Sequence, residues 1–147
     1  MPTEKLRAFW RRVALHALWL HGAWEAVQCR LFYDMSGASP ASTLWFMASA
    51  TGADVVLTLL LIALAVRAVQ FQHRAAMSRF LATLALSGTV TATWIELLAH
   101  ALGWWRYSPL MPRVQFFGGT VGLLPVLQMV LVPSLAFVLA RPFLNRK

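Results

Sequence analysis

An all-α fold, a single four-helix transmembrane bundle, is what this sequence predicts, and three observations predict it. Of the 147 residues, 59% are hydrophobic and only 12% are charged, about half the charged share of an ordinary soluble domain. The apolar residues fall in four long runs rather than in stripes of helical period. The basic residues cluster at the ends of those runs, so the formal charge of +8 reads as membrane orientation and not as a nucleic-acid surface.

Taken in order, residues 1–8 form a short basic tail. The first span covers about residues 9–31, long enough to cross a hydrocarbon core of roughly 30 Å at 1.5 Å per residue. Trp10 marks one interface, and Phe32 with Tyr33 marks the other. Its polar middle (His16, His21, Glu25) and the lack of a small-x-small site argue for a retained anchor over a signal peptide. Asp34 to Pro40 is turn chemistry, with Ser42 or Thr43 placed to cap the next helix. The second span covers about 41–66 and carries Asp54 near its middle. A basic loop from Arg67 to Arg79, holding His73, leads to the third span, about 80–105. The segment RYSPLMPRVQFF is predicted to lie along the interface. The fourth span covers about 118–140.

Orientation follows from charge. Lys5, Arg7, Arg11, Arg12, Arg67, Arg74, Arg79, Arg141, Arg146 and Lys147 fall on the side of the termini and middle loop. Arg30, Arg106 and Arg113 fall on the other. Ten against three predicts cytoplasmic termini.

Each span has one polar or small face. His21, Glu25 and Gln28 share a face of the first, and Thr51, Asp54 and Thr58 of the second. The third has Thr89, Thr93, Glu96, His100 and Gly103; the fourth has Gly118, Gly122, Pro125 and Gln128. These faces should turn away from lipid. Glu25 and Glu96 each lie roughly 24 Å along spans that run the same way, so they should meet at one depth. Asp54 and Gln128 should lie nearer the midplane. Two carboxyls in low dielectric cannot both ionise cheaply. That is the setting for acid–base work by Glu96 with His100, and by Glu25 with His21.

The same residues also fit a buried packing knot, a proton or substrate pathway, or a metal or porphyrin site. The spacing Glu96-x-x-x-His100 departs from the Glu-x-x-His of di-iron bundles, so no metal or cofactor is expected. Cys29 is the only cysteine, which excludes an intrachain disulfide and a paired-cysteine metal site. No phosphate loop or nucleophile elbow is present. Trp24 and Trp94 flank the two glutamates and are candidate walls of a substrate cavity, with Asp54, Tyr107 and Gln128 as further substrate contacts. Gly118, Gly119 and Gly122 would allow close helix approach, and Pro125 and Pro133 would kink the last span.

The run Glu96-(x6)-Gly103-Trp104-Trp105-Arg106-Tyr107-(x4)-Pro112, followed by Gly122-Leu123-Leu124-Pro125, resembles small bacterial membrane proteins of the carotenoid cyclase and hydratase kind. More distantly it resembles sterol-isomerase-type enzymes. The resemblance covers residues 96–128 and lacks the Pro-x-Glu-Glu or Pro-x-Glu-Asp signature of the heterodimeric lycopene cyclases. It implies a multi-pass protein of a bacterial inner membrane in which Glu96 protonates a carbon–carbon double bond of an isoprenoid chain. Tyr107 and Pro125 carry over as positional markers.

The sequence thus points first to an intramembrane enzyme acting on an isoprenoid or lipid substrate. A small proton-coupled transporter and a non-catalytic accessory or assembly subunit are its competitors. The expected partners are membrane lipids, a hydrophobic small molecule or pigment, and either a second copy of the chain or a larger membrane complex.

Overall fold

The computed structural model describes residues 3–69 and 76–141. His73, Arg74, Arg146 and Lys147 lie outside the described residues. The chain forms α1 (Thr3–Leu31), α2 (Pro40–Ala68), α3 (Ala76–Leu102), a hairpin of β1 (Arg113–Phe116) and β2 (Gly119–Gly122), and α4 (Leu123–Ala140). The helices α2, α3 and α4 are long and apolar enough to cross a membrane. The 29 residues of α1 match α2 in length, but its charged first turns and polar inner face dilute its hydropathy.

Local chemistry sets the boundaries. The α2 helix begins at Pro40, whose fixed φ suits the first helical position. That moves the cap to Ser39, whose hydroxyl accepts from Ser42 N–H at 3.1 Å, rather than to Ser42 or Thr43. The α3 helix stops at Leu102, three residues short of the predicted end. There Trp104 N–H bonds Ala99 C=O at 2.9 Å and Gly103 N–H bonds His100 C=O at 3.3 Å, the paired closure that ends a helix on a left-handed glycine.

The largest departure from expectation is at 113–122. Arg113 to Phe116 is not an irregular loop, and the fourth helix starts at Leu123 rather than at Gly118. These residues pair as an antiparallel hairpin from Arg113↔Gly122 to Phe116↔Gly119. The turn residues Phe117 and Gly118 have φ of 45° and 75°, the two positive values of a type I′ turn. Gly118, Gly119 and Gly122 are therefore sheet and turn glycines and do not bring helices together.

The close helix approach is made by Gly88 instead. A Cβ built there would lie 2.2 Å from the Met129 carbonyl oxygen. Met129 is the residue whose carbonyl Pro133, lacking an N–H, leaves without its helical donor. Pro125 lies in the first turn of α4, where no helical bond is lost, so Pro133 alone interrupts the ladder.

In the packed molecule α1 lies against α2 and α4, and α3 lies against α4. One half of the interior is dry, built from Phe9, Val13, Ala17, Leu61, Ile62, Ala65, Phe80, Leu84, Ala136 and Phe137. Phe137 stacks obliquely on Phe80 at 4.2 Å and meets Phe9 edge-on at 5.9 Å. The other half holds His21, Glu25, Gln28, Thr51, Thr58, Glu96 and Gln128, all buried. Two loops are stitched together above it. Asp34 N–H bonds Arg106 C=O, Ser108 N–H bonds Phe32 C=O, and Ser108 Oγ donates to Leu31 C=O at 2.7 Å.

Candidate active site

The polar half holds a half-open cavity of about 70 Å³ lined by residues of α1, α2, α3 and α4, among them Ala50, Leu57 and Ile95 of α2 and α3. Glu25, Asp54 and Glu96 all face it, with Gln28, Tyr33, Phe46, Trp105 and Gln128. Three carboxyls from three separate helices thus share one small space. It holds a few water molecules or the end of a ligand, well short of the several hundred Å³ that enclose a drug-sized molecule. Among the described residues no lysine or arginine lines it.

Gln128 is the centre of the larger cluster. Its Nε2 lies 2.9 Å from His21 Nδ1, 3.1 Å from Glu25 Oε1 and 2.9 Å from Asp54 Oδ2. A carboxamide nitrogen only donates, so His21 Nδ1 must accept. The imidazole proton then sits on Nε2, which donates to Thr58 Oγ1 at 2.9 Å. In that arrangement two amide hydrogens face three acceptors. The cluster is one hydrogen short, as expected of a site that takes up an additional proton. Glu25 Oε2 accepts from Cys29 Sγ at 3.2 Å, so the lone cysteine serves as a weak donor.

Glu96 is held differently. Its Oε2 accepts from the Tyr107 hydroxyl and from Gly122 N–H at 3.2 Å. A Cβ at residue 122 would come 2.9 Å from that oxygen, so any other residue would push the Glu96 carboxylate aside. The stitched loops carry Tyr107 to within 6.0 Å of Tyr33, ring to ring. Burial, with the Glu96 hydrogen bond and charge added for Tyr107 and the charge of Glu96 for Tyr33, holds both phenols well above the usual tyrosine range.

The residues singled out from sequence divide. His21, Glu25, Asp54, Glu96, Tyr107 and Gln128 come together at the cluster and cavity. His100 does not join Glu96: it is exposed at the end of α3 and stacks on the outside of the Tyr107 ring at 6.4 Å. Trp94 is 65% exposed on the outer face of α3, so it is no cavity wall. Trp24 is half-buried beside the cavity and donates its indole N–H to Gln28 Oε1 at 2.6 Å. The aromatic wall is formed by Tyr33, Phe46 and Trp105, packed edge to face at 5.9–6.4 Å.

Trp105 reads as interface belt in the sequence, and only the sharp turn after Leu102 swings it inward. Among the described residues its Nε1 is shielded and has no partner of hydrogen-bond geometry, although it lies close enough to the Tyr107 hydroxyl to favour that group's ionised form slightly. These three rings also line an outer recess of about 220 Å³ bounded by Asp34, Ser42 and Arg106. They separate that recess from the buried carboxyls.

No family model matches this chain, and no curated protein or solved structure is significantly similar to it.

Proposed function

We propose that this protein is an intramembrane acid–base enzyme acting on the unsaturated end of an isoprenoid or related lipid chain. The observation that carries the reading is the convergence of Glu25, Asp54 and Glu96 on one small cavity with aromatic walls and no lining lysine or arginine. Carboxyls and ring faces favour a developing positive charge, and the space admits a chain end.

The step uses the chain's own residues. Glu96 in its acid form gives its proton to one carbon of a double bond. The π electrons form the new C–H bond, and the neighbouring carbon becomes cationic. Glu25 as carboxylate removes a proton from the next carbon, and that C–H pair becomes the shifted double bond. One proton enters and one leaves, so no redox partner is needed. Tyr107 and Gly122 N–H, both aimed at Glu96 Oε2, stabilise the carboxylate left behind and so act mainly on the transition state. Tyr33, Phe46 and Trp105 face the cation.

In this reading α1 is the fourth span. Leu15, Leu18, Trp19 and Val27 present an apolar outer face while its polar groups face inward, as lipid requires. The charge distribution supports cytoplasmic termini, and the resemblance of residues 96–128 supports a bacterial inner-membrane setting.

The test does not require the substrate to be known. Membranes carrying the protein are incubated in deuterated water, and their lipids are searched by mass spectrometry for solvent deuterium in prenyl chains. Glu96→Gln should lower that incorporation about 10²–10⁴-fold, and Glu25→Gln should lower it too. Equal incorporation with and without the two carboxyls would sink the proposal.

A second reading, a non-catalytic accessory subunit, draws support from Gln128, which ties α1, α2 and α4 together. It predicts that the same variants lose thermal stability and leave every lipid unchanged.

A further inference from the structure

The cavity that holds the carboxyls is too small for a whole chain, so a chain end inside it needs a seat for the remainder. The recess bounded by Asp34, Ser42 and Arg106 also adjoins the cavity but carries those polar and charged groups; one apolar groove meets that need. On the outer surface between α1 and α4, a recess of about 430 Å³ is lined by Leu20, Ala23, Trp24, Val27, Phe32 and Leu124, with Gln28 at its inner edge. Gln28 also lines the buried cavity. The two spaces therefore meet at one side chain. That side chain is held across the junction by the 2.6 Å hydrogen bond from Trp24 Nε1 to its Oε1 and by a long 3.5 Å contact from its Nε2 to Tyr33 Oη.

We infer that this α1–α4 groove seats the polyprenyl chain of a membrane lipid, and that breaking the Trp24–Gln28 hydrogen bond opens a side door through which the chain end reaches the carboxyls. The inference rests on the acid–base reading for its choice of a prenyl over a saturated chain. An alkene can become the cation that the cavity favours, and a saturated acyl chain cannot.

The lining supports such an occupant. Six of its seven residues are apolar or aromatic, and among their side chains the one polar atom is the Trp24 N–H already given to Gln28. Both ends of the Trp24–Gln28 bond sit one turn apart on the same helix, so it opens by side-chain rotation without moving a span. A neighbouring groove supplies the control. It lies between α1 and α2, has about 410 Å³, and is lined by Leu18, Trp19, Gly22, Ala23 and Thr51. Its size is similar, but it shares no residue with the buried cavity. A chain held there is ordinary bilayer lipid.

The experiment uses purified full-length protein in detergent and two photoreactive probes, a diazirine-bearing geranylgeraniol and a diazirine-bearing palmitoyl phosphatidylcholine. Crosslinked peptides are mapped by mass spectrometry. The prenyl probe should label the segment around Val27 and Leu124. Val27→Trp, which fills this groove, should lower that labelling about tenfold, and Leu18→Trp, which fills the control groove, should leave it unchanged. Val27 is exposed, so the substitution does not disturb the packed interior. Glu96→Gln should keep the labelling while losing deuterium incorporation, which separates this inference from the chemistry. Equal labelling in Val27→Trp and Leu18→Trp, or equal labelling by the palmitoyl probe, would overturn it.

Discussion

The smallest unit that matters is the contact of Tyr107 with Glu96. A phenol O–H and a backbone N–H bind the same carboxylate oxygen, and Tyr33 packs against the phenol ring. The chain has two tyrosines, and both are here, so an ultraviolet titration of the folded protein reads this site alone. Both phenols are raised, so tyrosinate should stay absent until the pH is well past the ordinary value of about 10. The sign for stability follows. The unfolded chain ionises first, so the contribution is complete below about pH 10 and is lost as pH rises toward the folded values. A tyrosinate signal at the ordinary pH in folded protein would contradict the geometry. Tyr107→Phe should leave one titrating group.

Glu96 was legible from its place in an apolar run, because an ionisable group in lipid needs a reason. Tyr107 was legible only as a neighbour in a motif. Its true contact depends on the bridge between residues 33 and 107, a pairing across more than seventy positions that no local pattern encodes. His100 misleads for a related reason. Four residues after Glu96 it shares a broad helical stripe, but the last turn of α3 rotates it toward the outside.

At the scale of elements, the packing of α3 on α4 depends on a missing side chain. Gly88→Ala would drive a methyl group into the Met129 backbone carbonyl, which no rotamer change relieves. We expect a loss of about 1–3 kcal/mol, measured as a lower midpoint of thermal or detergent-induced unfolding. An unchanged midpoint would mean the two helices are not in contact there.

The hairpin offers the opposite change. Phe117 is 83% exposed and sits in a left-handed conformation that a bulky side chain adopts at a cost of about 1–3 kcal/mol. Phe117→Asn suits the type I′ turn and should raise the unfolding midpoint. A lowered midpoint would show that the ring itself is bound.

The helices α1, α2 and α3 were readable within a few residues at most ends from run length and turn residues. The hairpin was not. Arg113 to Gly122 has glycines and aromatics that fit an interfacial loop or the start of a span equally well, and only its docking on α3 decides between them.

For the whole molecule, the division into a dry half and a polar half separates two functional classes. Among the described residues no buried polar side chain falls in 3–20, 59–69, 76–95 or 129–141. A conductive path would have to cross that region, where uncompensated charge is expensive. Proteoliposomes holding the protein should therefore pass no more protons under a pH gradient than empty vesicles. A leak abolished by Asp54→Asn would restore the transporter reading. The two-sided partition was partly visible in sequence, since depth along the helices placed Glu25 level with Glu96; it set Asp54 and Gln128 apart, nearer the midplane, whereas Gln128 bonds both Glu25 and Asp54. The shared cavity was not visible, because it is set by side-chain rotation.

The exposed flank of β1 has one more implication. All four of its residues are exposed, and a strand edge leaves amide groups that hydrocarbon cannot satisfy. In the proposed four-span arrangement the hairpin therefore belongs at the waterline of the bilayer. Its inner strand touches Leu97 and Glu96, so in that arrangement the proposed acid lies near the aqueous boundary, where it would regain a proton without any wire across the membrane.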